Sequence, residues 1–263
     1  MKAAASAEAR RPRRPSRRVI RAVTLDCWGT LFIDGPGSDE RYQRQRLTGI
    51  QAVLAGVGVT ATPAQLERAY AAAGRRLGAL WQVHRDIAVR EHVGAILRGL
   101  DAALPARLSA ETMAAVIRAY TSPALAVPPA VDPGARVALE TLAAAGVALA
   151  VVSNAMRTPG EVLRKILDQA GLLACFRALI FSDEIGIRKP APGIFVRALK
   201  ELDVPPAAAV HVGDDPFLDV AGARDMGMRV IQVIADGRAT APVKPDAVIR
   251  HLGELPAALN RLR

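Results

Sequence analysis

Four polar stations in this chain each follow an apolar run and carry side chains able to do chemistry. They are Asp26 after residues 19–25, Ser153 and Asn154 after 147–152, Lys189 downstream of 178–181, and Asp214, Asp215 and Asp219 after 208–212. A carboxylate can act as a nucleophile and form a covalent intermediate that water later hydrolyses. A hydroxyl can donate a hydrogen bond, a lysine supplies a cation, and hard carboxylate oxygens suit Mg²⁺, which keeps waters and needs few protein carboxylates. Taken singly, each station has a bland reading. Asp26 before Gly29 and Thr30 could cap its own turn, Lys189 could be an exposed loop lysine, and Asp214 and Asp219 could be favourable charges at a helix start.

What unites the stations is the elements that carry them. Residues 19–25 read as a short buried strand rich in β-branched side chains, followed at once by Asp26-Cys27-Trp28-Gly29-Thr30, where glycine permits a sharp turn. From 128 onward strands and helices alternate: a helix near 134–145, strand 147–152, helix 161–170, strand 178–181, helix 193–202, strand 208–212, a helix from about 219, strand 228–234 and a short strand at 247–249. That alternation predicts an α/β fold, a Rossmann-like parallel sheet with helices on both faces. In such a sheet the strand ends share one edge, so the four stations can converge on one ligand.

Between the first strand and the rest lies a block without a convincing strand. Thr62-Pro63-Ala64-Gln65 has an N-cap, a proline at the first helical position and a capping-box partner, and opens a helix toward Trp81. Asp86 and Ser109 are read as N-caps of two further helices. The expected organisation is a disordered basic arm over 1–18, an α/β core from 19–35 and 128–263, and a helical domain inserted over 36–127. On the inserted block, Trp81, His84 and Arg85 are candidate substrate readers.

Length and composition bound the rest. With 263 residues and 51% apolar composition the chain can build a real core. Its net charge of +10 would suggest nucleic acid, but eight cations against one anion fall in the first 21 residues. A basic arm on a nearly neutral globule disfavours a nucleic-acid partner. The longest apolar stretch, 142–152, is too short for a spanning helix, and Arg21 and Asp26 interrupt any signal-like run, so no membrane partner and a cytoplasmic location are expected. Cys27 and Cys175 alone build neither a disulfide framework nor a zinc cluster. Oligomeric state is left open.

The segments LDCWGTLF, VVSNAM, SDEIGIRKPAPGIF and HVGDDPFLDVAGARDMGM resemble, in order and spacing, the four motifs of the haloacid dehalogenase-like hydrolase superfamily, with the helical block in the place of its inserted cap domain. The resemblance implies that Asp26 is the nucleophile and that Lys189 neutralises the nucleophile and the transferring group. It also implies that Thr30, Ser153 and Asn154 bind the substrate. Mg²⁺ would be held by Asp26, the main-chain carbonyl of Trp28 and Asp214, with Asp215 or Asp219 in support.

The chain also departs from the family's patterns. Phosphatases of the superfamily usually have a second aspartate two residues after the nucleophile, to protonate the leaving alcohol, and here that place is Trp28. An indole has no titratable proton near neutral pH, so a general acid worth about 10²- to 10⁴-fold is missing. The 2-haloacid dehalogenases also lack that aspartate, but they work without metal, and they tend to have tyrosine where this chain has Phe195. Arg41, Arg44 or Arg46 would have to stand in for their halide-gripping arginine. Three readings follow: a Mg²⁺-dependent phosphatase of a small phosphorylated metabolite, a dehalogenase working through an aspartyl ester, and a catalytically weak or repurposed binding protein.

Overall fold

The computed structural model describes residues 19–234 and 243–262; the basic arm expected over 1–18 lies outside them. Six parallel strands form the sheet: β1 (Ala22–Leu25), β4 (Ala148–Ser153), β5 (Ala178–Phe181), β6 (Ala209–Gly213), β7 (Arg229–Val233) and β8 (Ala247–Ile249), in the order β5-β4-β1-β6-β7-β8. Their side chains are apolar on both faces, as a sheet covered by helices on each side requires. Val23, Leu25, Val151, Val212 and Ile231 enter one core, with α7 (Ala135–Ala144), α8 (Gly160–Gln169) and α12 (Leu255–Leu262). Ala22, Ala150, Val152 and Val230 enter the other, against α10 (Pro192–Leu202).

The chain runs outward from β1 to β4 and β5, then returns to place β6 on the other side of β1. This reversal makes the carboxyl end of β1 the switch point where an open α/β sheet forms its crevice. Leu25 is level with Val151 on one neighbour and Val212 on the other, so Asp26, Ser153 and Asp214 leave the sheet at the same edge.

The intervening block is helical: α1 (Ser38–Ala55), α2 (Pro63–Gln82), α3 (Val89–Leu100), α4 (Leu104–Arg107), α5 (Ala110–Thr121) and α6 (Pro123–Ala126). It has its own core, including Ile50, Leu54, Ile96, Val116 and Tyr120. The chain enters and leaves it through a two-residue antiparallel ribbon, β2 (Phe32–Ile33) on β3 (Ala130–Val131), too short to register in the sequence. Thr62 and Gln65 form the capping box, and Ser109 accepts from the Thr112 amide. The expectation for Asp86 is corrected: Ala88 precedes α3, and Asp86 is buried in a polar cluster. The helix expected from about 219 begins earlier, as a π-helix over Pro216–Ala221 that runs into α11 (Gly222–Asp225), because Asp215 caps the Phe217 and Leu218 amides. Among the described residues no helix is long and apolar enough to cross a membrane.

Candidate functional site

Asp26 follows β1 directly, and its carboxylate Oδ1 lies 2.8 Å from Lys189 Nζ. The same ammonium lies 2.6 Å from Asp219 Oδ1, so one buried cation bridges two carboxylates supplied by β1 and by the π-helix after β6. Asp219 is completely buried and accepts from His211 Nε2 at 2.9 Å and from the Asp215 amide at 3.0 Å. The π-turn sets this geometry: both the Asp219 and Val220 amides bond the Asp215 carbonyl, and the extra residue per turn lets a carboxylate five positions after Asp214 fold back under the sheet edge.

Two glycines leave room for the carboxylates. A Cβ on Gly29, at φ +73°, would lie 2.4 Å from Asp214 Oδ2, and one on Gly213 would lie 2.2 Å from the Asp219 carboxylate carbon. Asp26, Asp214 and Asp219 can each bring one oxygen within 4.8 Å of the others. Burial pushes the Asp26 carboxyl above its ordinary range while Lys189 pulls it back. Asp219 moves the other way: burial opposes its charge, yet Lys189 and His211 hold it well below the usual carboxylate range. Lys189 loses hydration by burial, but the two carboxylates hold it firmly protonated.

The remaining residues named from the sequence are placed as follows. The Ser153 hydroxyl is buried beside Asp26 and Cys27 and makes no well-aligned hydrogen bond; Thr30 Oγ1 is likewise buried and unpaired. Both ends of the Asn154 amide are taken by the Lys189 backbone, which donates to Oδ1 at 2.9 Å and accepts from Nδ2 at 3.2 Å. Asn154 therefore holds the lysine loop, while the second hydrogen of its Nδ2 is left over and the residue lines the opening to the cluster. The Asp215 carboxylate caps the π-helix, so its contribution to Asp219 comes through its backbone N–H. An opening of about 300 Å³ reaches this cluster, with Asp26, Lys189, Asp214 and Asp215 among its polar walls and Trp28, Ile33, Met156 and Leu218 among its apolar ones.

None of Trp81, His84, Arg85, Arg41, Arg44 or Arg46 lines that opening. Arg46 is buried under Tyr42 and Tyr120 and donates to the Tyr120 carbonyl. Trp81 stacks on the Arg188 guanidinium, 4.1 Å from ring centroid to carbon, and donates to Asp86. Asp86 also accepts from Arg188 at 2.7 Å and from Ser182 at 2.5 Å, while Ser182 accepts from the Ala155 amide. A carboxylate of the helical block thus ties together the loops that carry Asn154 and Lys189. Sequence reasoning missed this role of Asp86, and it missed His211, which pairs with Thr24 across β1 and β6. The only available signal for His211 was a polar residue inside an otherwise apolar strand.

Comparison with known proteins places the chain in a family. A family model described as haloacid dehalogenase-like hydrolase matches residues 20–227. Haloacid dehalogenase-like hydrolase domain-containing protein 3 of Danio rerio is 36% identical over 124 residues, 46% of this chain and 50% of its own length. A phosphoserine phosphatase of Thermus thermophilus is 39% identical over 102 residues, 39% of each chain. (S)-2-haloacid dehalogenase 2 of a Pseudomonas species is 33% identical over 127 residues, 48% of this chain and 54% of its own. The chain spans about half the length, or less, of these curated relatives. Among solved structures, a 2-haloacid dehalogenase from Pseudomonas syringae aligns with a TM-score of 0.69 at 26% identity, over 93% of this chain and all of that one.

Proposed function

This chain belongs to the haloacid dehalogenase-like hydrolases, and we propose that within them it is a Mg²⁺-dependent phosphohydrolase of a small phosphorylated metabolite, working through an aspartyl-phosphate at Asp26. The observation that carries this reading is the carboxylate set: Asp26, Asp214 and Asp219 can each bring one oxygen within 4.8 Å of the others at the sheet edge, with Lys189 ion-paired to Asp26 and Asp219. Carboxylate oxygens gathered this closely favour a bound cation, which would also offset their repulsion of an anionic substrate. Asp219 already accepts from three donors, so Asp26, Asp214 and the Trp28 carbonyl are the oxygens that would hold the ion, a hard donor set suited to Mg²⁺. Bound there, Mg²⁺ would supply positive charge to the phosphoryl oxygens.

The chain's own residues do the rest. An Asp26 oxygen attacks phosphorus, the bond to the leaving oxygen breaks, and its electron pair departs with that oxygen. Lys189, already between Asp26 and Asp219, stabilises charge on the transferring group, and Ser153 and Thr30 offer hydroxyls. Water then attacks the phosphorus of the aspartyl-phosphate, releasing phosphate and regenerating the Asp26 carboxylate. Trp28 cannot protonate the departing oxygen, so the favoured substrates have leaving groups that need no proton, acyl phosphates or anhydrides before alkyl esters. The helical block acts as a cap that excludes bulk water.

A second reading is dehalogenation: an Asp26 oxygen displaces halide from carbon and water hydrolyses the ester. It is favoured by the end-to-end likeness to the Pseudomonas syringae dehalogenase and by Trp28, since halide leaves without a proton. Phosphate and halide release from acetyl phosphate, phosphomonoesters and 2-haloacids, with and without Mg²⁺, separates the two, with Asp26→Asn as control. The expected result is Mg²⁺-dependent phosphate release, fastest from acetyl phosphate and lost in the control, with Trp28→Asp raising the rate on alkyl phosphates. Metal-independent halide release would replace this reading with the second, and silence on every substrate would favour a binding role.

A further inference from the structure

We propose that His211 is a positioning residue that fixes the Asp219–Lys189 pair against Asp26. The inference starts from strand register. Thr24 on β1 lies opposite His211 on β6, on the same face of the sheet, and Thr24 Oγ1 is 2.7 Å from His211 Nδ1. The other ring nitrogen, Nε2, is 2.9 Å from Asp219 Oδ1, and the Phe195 ring packs edge-on against the imidazole at 5.2 Å. His211, Thr24 and Asp219 are all fully buried, so no water competes for these contacts.

The hydrogen positions follow from chemistry. An ionised carboxylate only accepts, and Asp219 is ion-paired to Lys189 at 2.6 Å and takes the Asp215 amide on its other oxygen, so the proton between His211 and Asp219 sits on Nε2. Nδ1 then accepts from the Thr24 hydroxyl, which fixes both the tautomer and the ring plane. The result is a directed series in which Thr24 donates to His211, His211 donates to Asp219, and Lys189 donates to Asp219 while ion-paired with Asp26.

Asp219 Oδ2 is fixed by the Asp215 amide and Oδ1 is shared by His211 and Lys189. Without the His211 donor, Oδ1 answers to the ammonium alone. Lys189 then moves toward Asp219 and away from Asp26, and its charge is withdrawn from the reacting group. Outer partners of this kind typically change activity by about 10- to 100-fold. The kinetic consequence rests on the hydrolase reading above, whereas the hydrogen-bond assignment stands without it.

Two measurements test the proposal. In ¹⁵N-histidine NMR of the intact protein, one of its four histidines should carry its proton on Nε2 with Nδ1 as acceptor, and that Nε2–H signal should move in Asp219→Asn. A His211 ring with a bare Nε2, or an Nε2–H indifferent to Asp219→Asn, overturns the proposal whatever the substrate. In the kinetic arm, run on whichever substrate the wild type turns over and corrected for folded fraction, His211→Leu should lower kcat at least 10-fold and leave KM within about two-fold. His211→Gln, which keeps an N–H of similar reach, should recover most of that loss. Equal kcat in the Leu and Gln variants, or a loss confined to KM or to the folded fraction, also overturns it. The NMR arm on the wild type decides the assignment even where His211→Leu does not fold.

Discussion

Replacing Asp86 with alanine should destabilise the protein far more than a surface change. The Asp86–Arg188 pair is buried, with side-chain exposures of 2% and 5%, and the carboxylate also accepts from Ser182, Trp81 and the Ile87 amide. Removing it leaves a buried guanidinium against the Trp81 ring and the Met156 sulfur, without its ion-pair partner, and breaking a buried ion pair in this way costs about 3–5 kcal/mol. For a protein of this size that is a fall in Tm on the order of 10 °C. Arg188→Met should cost less, because three neutral donors still satisfy Asp86. The Asp86→Ala/Arg188→Met double variant should recover part of the loss, with a coupling of roughly 2 kcal/mol in a double-mutant cycle by urea unfolding. Because Ser182 and Arg188 flank the loops carrying Asn154 and Lys189, Asp86→Ala should also lower kcat under conditions where it is folded. A loss under about 1 kcal/mol, or strictly additive variants, would refute the claim that this carboxylate neutralises a desolvated charge and braces the site.

Two further outcomes follow from the geometry. Gly29→Ala places a Cβ at φ +73° and 2.4 Å from Asp214 Oδ2, while Gly227→Ala has a similar φ of +74° and open space around it. Both should carry about 1–2 kcal/mol of backbone strain, but only Gly29→Ala should also weaken Mg²⁺ binding by calorimetry; equal Mg²⁺ affinity in the two variants would count against the carboxylate site. His92 is held down to about 4 from its ordinary 6.5, chiefly by burial and then by Arg157 and Arg46. The unfolded chain therefore binds the extra proton first, and this residue's contribution to stability, up to about 3 kcal/mol, is lost as pH falls from about 6.5 to about 4. Asp183, raised by burial to about 6 and lining the same crevice as His92, acts with the opposite sign, favouring the fold as pH falls through 6. Urea midpoints should show a shallower decline between pH 7 and 4.5 in His92→Gln than in the wild type; parallel declines would remove His92 from the account.

The parts of this molecule that were legible from sequence are those where a local pattern is also the global one. An apolar run ending in a polar turn is a buried parallel strand with its active edge, and this held for β1, β4, β5, β6 and β7 because burial on both faces favours a mostly apolar composition. Thr62 and Ser109 were readable as caps because capping is decided within one turn. Asp86 looked the same within its own turn, but its Oδ2 accepts from Ser182 and Arg188, about a hundred positions away. No periodicity encodes that.

The same distinction separates the site residues. Asp26, Lys189, Asp214 and Asp219 could be proposed because chain order and parallel topology bring their strand ends to one edge. Asn154 illustrates the limit: its type and place suggested a donor for substrate, and no local pattern showed that its amide also bonds the Lys189 backbone at both ends. His211 is the mirror case. Inside a strand it looked like a polar lapse, and only the register of β1 against β6 turns it into the partner of Asp219. Strand ends were enough to say which groups meet. Which atoms of those groups remain available for a substrate is decided by contacts between distant segments: the Ser153 and Thr30 hydroxyls make no well-aligned hydrogen bond, while Asn154 spends one N–H and its carbonyl oxygen on the lysine loop and keeps its second N–H.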